Sequence, residues 1–281
     1  MDLTQTQHGK PGWMREAIAI WGYAQRNYFL TKRYFLWEVV WLVYSTMNAL
    51  TIGFIGVNFG GGEGKSAAWA TTFLLIGTLL WSYLSMIFDL LSETVSWERW
   101  EGTIEYTFMS PASRTSQLLG MGIYAVLYGI VRMIIMLGAI SLFFDMDLGN
   151  ANYLAALGIL AICSVSLVGF GMVAAVMPLL SPEKGQQVTS IFTAVLLLIS
   201  GIYYSIDVLP GWMQPLANIS PVYYALNGIR AALLDGATFG SQWGNIWPLL
   251  LMGLIFPPLG LWMFRKGEWY AKKTGRLKRS G

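Results

Sequence analysis

The segment Glu98-Arg99-Trp100-Glu101-Gly102-Thr103-Ile104-Glu105-Tyr106-Thr107-Phe108-Met109-Ser110-Pro111 separates two strongly apolar stretches of the chain, Trp69–Leu91 and Leu118–Phe144. Each stretch is long enough to cross the roughly 30 Å hydrocarbon core of a bilayer as a helix. A connection between two membrane helices has no packing reason to carry four acids, which here are Glu93 and the three glutamates of the segment. The pattern therefore predicts a membrane protein whose charged connection is contacted by something outside the bilayer.

The composition also excludes an ordinary soluble domain, because 55% of the 281 residues are hydrophobic and only 12% are charged. It predicts an all-α integral membrane fold with six transmembrane helices, of which the fifth and sixth are near the lower length limit. Aromatic residues gather at the ends of these helices, where headgroup-level anchors belong. The six predicted spans are Phe35–Val57, Trp69–Leu91, Leu118–Phe144, Tyr153–Leu180, Val188–Tyr204 and Trp247–Phe264.

The distribution of basic residues predicts the orientation of these spans. With six spans, fifteen of the 18 lysines and arginines fall on the side that carries both tails and the second and fourth connections. The positive-inside rule makes that side cytoplasmic, in a multi-pass protein of the plasma or inner membrane. The net charge of +3 therefore reflects topology and not nucleic-acid binding. The first apolar run is a full span without a clear cleavage site, so no cleavable signal peptide is expected.

Three regions follow from this reading. Residues 1–34 are expected to form a cytoplasmic tail with an amphipathic interfacial helix near Met14–Lys32, the alternative being a partly ordered basic tail. Residues 35–264 are expected to form the six-span domain, and residues 265–281 a basic cytoplasmic tail.

Within the six-span domain, residues 206–244 are too interrupted by proline to be one span and too apolar to be a free loop. We expect an external re-entrant hairpin of two short helices in or on the outer leaflet, covered by protein or by a water-filled cavity. The alternative is an ordinary external loop.

Arg132 is the most costly residue by position, because a bare guanidinium near the middle of a span costs about 3 kcal/mol or more. It should therefore face protein or water and have a polar partner. Its role is open between a structural clamp and a part of the substrate path. Glu38 and Asp89 are expected at a wet boundary or in ion pairs with cytoplasmic Arg or Lys. The side chains nearer to Arg132 in predicted depth are Ser45, Thr46 and Asn48.

No catalytic, metal or nucleotide site is predicted in this chain. Gly60-Gly61-Gly62-Glu63-Gly64-Lys65-Ser66 looks like a phosphate-binding loop, but Phe59 stands where that pattern requires glycine, and the loop is predicted to face outward. The single histidine, His8, lies in the tail, so no histidine-dependent triad or zinc site is expected at membrane depth. The single cysteine, Cys163, excludes a disulfide or a cysteine metal site within one chain.

The cytoplasmic segment is predicted to form one short helix over about residues 93–110. Glu98, Glu101 and Glu105 recur at helical spacing, which predicts carboxylates along one face. An adjacent apolar face would rest on the membrane or on neighbouring helices. Ser110-Pro111 is expected to end the helix. Such a helix suits a soluble partner, and the alternative is a solvated loop helix without one. The apolar face comprises Trp97, Trp100, Ile104 and Phe108.

This segment resembles the coupling segment of type-2 ABC transporter permeases, which typically shows an acid–basic pair, then Gly-Thr-Leu-Glu, Ser-Pro and Arg. The matching residues are Glu98, Arg99, Gly102, Thr103, Ile104, Glu105, Ser110, Pro111 and Arg114. Ser200–Tyr204, Leu209–Met213 and Ile219–Arg230 resemble the same family's fifth-span end and outer hairpin. The resemblance covers nearly the whole chain, with Ile104 for leucine and Trp100 beside Glu101 as mild departures.

The resemblance implies a permease that pairs with a second permease subunit, identical or different. It also implies two cytoplasmic ATPase subunits, which would bind Mg-ATP and dock on the coupling segment, including Glu101. Family members export drugs, antibiotics, lipids or lipid-linked glycans, and a hydrophobic or amphipathic cargo ranks first here. The residues that the resemblance places in the external hairpin are Pro210, Gly211, Pro215, Pro221, Tyr223 and Arg230.

Three alternatives remain open at this point. One is export of a polysaccharide or lipid-linked glycan. Another is an ion-coupled carrier that uses Glu38, Asp89 and Arg132 without an ATPase. The third is a membrane scaffold that transports nothing.

Overall fold

The structure, a computed structural model, describes residues 11–59, 67–146 and 149–275. The predicted glycine-rich loop Gly60–Ser66, His8 and the end of the basic tail lie outside these residues. Within the described ranges the chain forms α-helices and short 3₁₀ turns without a β-strand, which confirms the all-α fold class. The helices are α1 (Gly12–Arg33), α2 (Phe35–Phe59), α3 (Ala67–Glu101), α4 (Ile104–Met109), α5 (Arg114–Ile140), α6 (Tyr153–Ala174), α7 (Val176–Leu180), α8 (Pro182–Ile199), α9 (Gln214–Ala217), α10 (Pro221–Leu234) and α11 (Trp243–Lys273).

Five segments of the described chain are long and apolar enough to cross a membrane. The predicted span Val188–Tyr204 differs, because α8 already ends at Ile199 and its apolar part, Lys184–Ile199, is about 24 Å long at 1.5 Å per residue. This helix ends where Gly201 adopts a positive φ of 67°, which cannot continue a right-handed helix. A sixth crossing therefore stays a prediction. The five segments are Phe35–Asn58, Ala67–Glu101, Arg114–Ile140, Tyr153–Leu180 and Gly240–Lys273.

Helices α3 and α6 form the centre of the packed core. Leu84, Ile87 and Leu91 of α3 are fully buried, and α6 packs closely against α11. This close approach depends on glycine, because a Cβ on Gly169 would lie 2.5 Å from backbone atoms of Phe256 and Pro257. Small residues at such contacts let membrane helices approach closely enough to pack. Helices α2, α5 and α11 surround this core and keep more of their apolar surface exposed.

Helix α11 runs through two of the predicted boundaries. It begins at Trp243, next to the predicted end of the hairpin near residue 244, and it continues without a break past residue 265 to Lys273. The division into tails, spans and hairpin stays a prediction. Inside the hairpin the two helices are unequal: α9 has four residues and α10 has 14.

Candidate functional site: the junction of α3, α4 and α5

The charged segment is not the single helix predicted for residues 93–110. Helix α3 runs through to Glu101, Gly102 has a φ of 75°, and α4 begins at Ile104. A left-handed residue breaks the helical register, and glycine adopts this conformation with little cost. The predicted end of the helix is confirmed, since α4 stops at Met109 and Ser110 before Pro111 has an extended ψ of 140°.

The break also overturns the predicted acidic face. Glu98 is buried and forms an ion pair with Arg26 of α1, whereas Glu101 and Glu105 are exposed. Because the register changes at Gly102, Glu98 and Glu105 belong to different helices and share no face.

The predicted apolar face is divided in the same way. Ile104 is buried and Phe108 is partly buried against the core. Trp97 and Trp100, however, keep 64% and 61% of their surface exposed. Two large indoles at the junction are therefore open to solvent, lipid or another chain.

Arg114, at the first position of α5, ties α4 to its surroundings. Its Nη1 donates to the carbonyl of Thr107 at 2.9 Å, and its Nη2 donates to that of Phe108 at 2.7 Å. These carbonyls lie at the end of α4, where helical carbonyls otherwise lack partners and a cation is favoured. The guanidinium also lies 4.5 Å from the centre of the Phe108 ring. Arg114 therefore fixes α4 to the start of α5.

The remaining edge of Arg114 faces Glu268 of α11, a contact that the sequence reasoning missed. Arg114 Nε donates to Glu268 Oε2 at 3.1 Å, and Lys272 Nζ donates to Glu268 Oε1 at 2.6 Å. Arg114 and Glu268 keep only 13% and 10% of their side-chain surface exposed. The one available signal was an acid four residues before a lysine in a basic stretch, which has many explanations other than a long-range contact.

Helix α1 braces the junction from another side, a role also missed from the sequence. Glu16 accepts hydrogen bonds from the hydroxyls of Ser113 and Ser116, beside the N-terminus of α5. These bonds lower the pKa of Glu16 below its usual value, because they stabilise the ionised carboxylate. Close packing continues at Gly120, where a Cβ would lie 2.5 Å from the carbonyl oxygen of Ile20. The predicted amphipathic helix is thus present, but it packs along α5.

Several buried polar atoms at the junction have no hydrogen-bond partner among the described residues. They are Oε2 of Glu98, Nε and Nη1 of Arg99, and Nδ2 of Asn27. A buried polar atom without a partner costs about 1–3 kcal/mol, so a rearrangement that satisfies these atoms is favoured. The other predicted coupling residues play local parts, with Thr103 Oγ1 donating to the Glu98 carbonyl at 3.5 Å and Ser110 Oγ accepting from the Ala112 amide at 3.3 Å.

The structure gives Arg132 a polar partner at its own depth. Arg132 Nη2 donates to Ser45 Oγ of α2 at 3.2 Å, as the sequence argument anticipated for one of its candidates. Its Nη1 contacts the Met86 sulfur of α3 at 3.2 Å. Asn48, another candidate, is exposed and is not among the hydrogen-bond partners of Arg132. Arg132 therefore links α2, α3 and α5.

Glu38 and Asp89 form no ion pair within the described part of the chain, which leaves the wet boundary as the predicted alternative. Glu38 instead accepts a hydrogen bond from the Tyr128 hydroxyl at 2.6 Å, and Asp89 is half-buried without an ion pair. The Tyr128 hydroxyl of α5 therefore satisfies Glu38 without a cationic partner.

At the other end of the molecule, Arg230 of α10 is buried and binds main-chain carbonyls. It donates to Gly201 at 3.2 Å, Ile202 at 2.6 Å and Phe73 at 3.1 Å, and its guanidinium lies 3.4 Å from the centre of the Phe73 ring. Burial lowers its pKa to about 9, so it remains a cation near neutral pH. Arg230 thus joins the start of α3 to the turn that follows α8. These contacts are buried, so Arg230 does not lie in an exposed loop.

A cavity of about 680 Å³ lies beside Arg230. It is lined by residues from the start of α3, the turn after α8, and the hairpin, including Tyr223, Gly211 and Pro215. Pro210 is exposed next to it, and Pro221 is the first residue of α10. Four of the six predicted hairpin residues, Gly211, Pro215, Tyr223 and Arg230, therefore line one cavity.

Comparison with known proteins agrees with this arrangement. The family model described as ABC-2 type transporter matches residues 16–234, which include the junction and the hairpin but not α11. The chain is also similar to the probable multidrug ABC transporter permease YbhR of Escherichia coli strains K12 and O157:H7, with 26% identity over 178 residues in each case. That alignment covers 62% of this chain and 47% of the relative. The chain thus spans about half the length of the curated relatives it matches.

Proposed function

The chain belongs to the ABC-2 type transporter family, and from this premise we propose that it is the membrane-spanning subunit of an ATP-driven exporter. A separate cytoplasmic ATPase, present in two copies, binds Mg-ATP and docks on the junction of α3, α4 and α5. A second permease subunit, the same or different, completes the pathway. Both tails and the junction are cytoplasmic in this proposal, with α8 as the sixth crossing.

The observation that carries this proposal is the bracing of α4. The helix has six residues, lies between Gly102 and Ser110, and is bonded through Arg114 to both α5 and α11. A force on α4 is therefore transmitted to two long helices. A partner shifts a conformational equilibrium only by its differential affinity for the two states, and a braced helix at the surface allows such a difference.

The exposed side of the junction supplies groups for docking. Glu101 and Glu105 offer carboxylates, and Trp97 and Trp100 offer apolar surface beside them. Tryptophan is enriched among the few residues that carry most of the binding energy of a protein interface, so exposed indoles that docking would cover suit such a surface. This combination supports a protein partner more than an isolated solvated helix.

We propose a hydrophobic or amphipathic cargo, such as a drug, an antibiotic or a lipid-like molecule, moved outward. The relatives are named as multidrug permeases, and α2, α3 and α5 present an apolar surface interrupted by the cluster of Arg132, Ser45 and Glu38. A pathway of this kind has a few fixed polar groups among apolar ones, as binding sites for amphipathic molecules do.

The test is reversal of charge at the exposed acids. The variant Glu101→Lys/Glu105→Lys is co-expressed with the ATPase that co-purifies with the tagged chain. We expect co-purified ATPase to fall at least about tenfold, since like charges placed in a docking surface cost several kcal/mol, while the variant elutes as a folded protein.

The matched control is Asp207→Lys/Asp235→Lys, which reverses two exposed acids on the side predicted to be external. It should keep the full amount of ATPase. Equal recruitment by the junction variant and the control would contradict docking at α4. Cargo transport in proteoliposomes that is driven by an ion gradient without ATPase would favour the ion-coupled carrier instead.

A further inference from the structure

The last turns of α11 carry a regular row of tryptophan and lysine on one face. Trp262, Lys266, Trp269 and Lys273 follow at intervals of four, three and four residues, which places them within about 60° of arc around the helix. All four side chains are exposed, with 54% of Trp262 and 60% of Trp269 accessible. We call these four residues the Trp-Lys row.

Each lysine of the row lies over the ring of the tryptophan one turn before it. Lys266 Nζ is 4.6 Å from the centre of the Trp262 ring, and Lys273 Nζ is 4.9 Å from that of Trp269. A cation above an indole face is attracted by the ring, so both ammonium groups are held at the surface in a defined place. Neither lysine forms an ion pair with a carboxylate of the described chain. Among the described residues, two positioned positive charges are thus left without a paired carboxylate.

The level of the row relative to the membrane follows from the length of α11. Helix α11 has 31 residues, about 46 Å of helix, which exceeds a hydrocarbon core of about 30 Å. Its uncharged stretch ends at Phe264, and Arg265 and Lys266 follow immediately. The row therefore begins at the edge of the hydrocarbon and continues through the headgroup layer, where tryptophan is enriched.

We propose that the Trp-Lys row binds the headgroups of anionic phospholipids in the cytoplasmic leaflet. The phosphate oxygens would accept from the lysine ammonium groups, while the indoles would lie among the glycerol and upper acyl groups. Charge complementarity selects a net-negative headgroup, since a zwitterionic one brings its own cation to the same surface. Continuity of the row with an apolar span places it against lipid.

The opposite face of the same turns is the one that braces the junction. Phe264, Gly267, Glu268 and Ala271 are buried, and Glu268 receives Arg114. Lipid bound on the exposed face would hold the end of α11 in place and thereby hold Glu268 against Arg114. Lipid binding does not depend on the proposed function, whereas its effect on ATPase coupling does.

The experiment measures phosphatidylglycerol bound to the purified full-length chain by native mass spectrometry, over a titration of that lipid in neutral detergent. The test variant is Lys266→Gln/Lys273→Gln. The matched control, Lys32→Gln/Lys184→Gln, also removes two exposed lysines on the predicted cytoplasmic side, but these lysines belong to α1 and α8 and not to the row. We expect about fivefold weaker binding per lysine removed from the row, hence about 25-fold for the pair, and little change in the control. Lys266→Arg/Lys273→Arg should bind as the unmodified chain does.

Three results would overturn the proposal. Equal lipid binding by the test variant and the control would remove the row as the site. Loss of binding in the arginine variant as well would show that charge is not what the lipid recognises. If Lys266→Gln/Lys273→Gln lost ATPase recruitment in phosphatidylcholine nanodiscs but bound phosphatidylglycerol as the unmodified chain does, the row would be a protein-docking surface. If ATPase never associates with any form of the chain, the proposed function fails while the lipid titration still decides the row.

Discussion

Replacing Glu268 by alanine is the sharpest test of the braced junction. The carboxylate bonds Arg114 at 3.1 Å and Lys272 at 2.6 Å, and about nine-tenths of its side chain is removed from solvent. Removing one partner of a buried ion pair costs about 3–5 kcal/mol, because the remaining charge stays buried. Arg114 keeps its bonds to the carbonyls at the end of α4, and Lys272 is half-exposed, so we expect the lower end, about 3 kcal/mol.

Two measurements check this value in the full-length chain. The thermal midpoint in detergent, followed by size-exclusion chromatography, should fall by several degrees in Glu268→Ala. In proteoliposomes with the partner ATPase, transport per ATP hydrolysed should fall further than ATPase binding does, because α4 is present but loosely held. Glu268→Gln keeps an oxygen that accepts from Arg114 and should lose less on both measures.

The control is Asp235→Asn, which changes an exposed carboxylate far from the junction and outside any ion pair of the described chain. It should keep the thermal midpoint of the unmodified protein. If Glu268→Ala matched Asp235→Asn in thermal midpoint and in coupling, the bond between α11 and the junction would have no energetic consequence, and the reasoning would be refuted.

Three further predictions concern other contacts. The pKa of Glu16 is lower in the folded chain, so its bonds to α5 are fully present above the unfolded pKa of about 4.5 and are lost as the pH falls through the lower folded value. Spin labels on α1 and α5 should therefore separate at acidic pH. Glu16→Gln should abolish the pH dependence of that separation. Arg230→Met should lower the thermal midpoint more than Arg230→Lys, because each carbonyl left without a donor costs about 1–3 kcal/mol; equal midpoints would contradict the clamp. Gly169→Val should destabilise the chain by about 1–3 kcal/mol through overpacking against α11, whereas Gly138→Val, where a Cβ meets no atom within 4 Å, should not.

Much of the fold was accessible from residue patterns alone. Long apolar runs predicted five of the helices, and the majority of their ends lie within a few residues of the predicted ones. They did so because an uninterrupted hydrophobic stretch leaves few alternatives to a buried or membrane helix. The depth argument for Arg132 selected a set that included Ser45, its actual partner. The pattern of Glu98, Glu101 and Glu105 failed, since helical spacing was extended across Gly102, whose left-handed conformation ends the helix.

The amino-acid sequence by itself determined that this is a helical membrane protein with a charged junction between its second and third spans. It determined this through composition and short-range periodicity, which depend only on neighbours within a few turns. The tertiary structure alone decided which charges of that junction are buried and what each one bonds. Arg26 meets Glu98 across 72 positions and Arg114 meets Glu268 across 154. Such pairs arise from the way whole helices pack, and a local pattern carries no information about a partner that far along the chain.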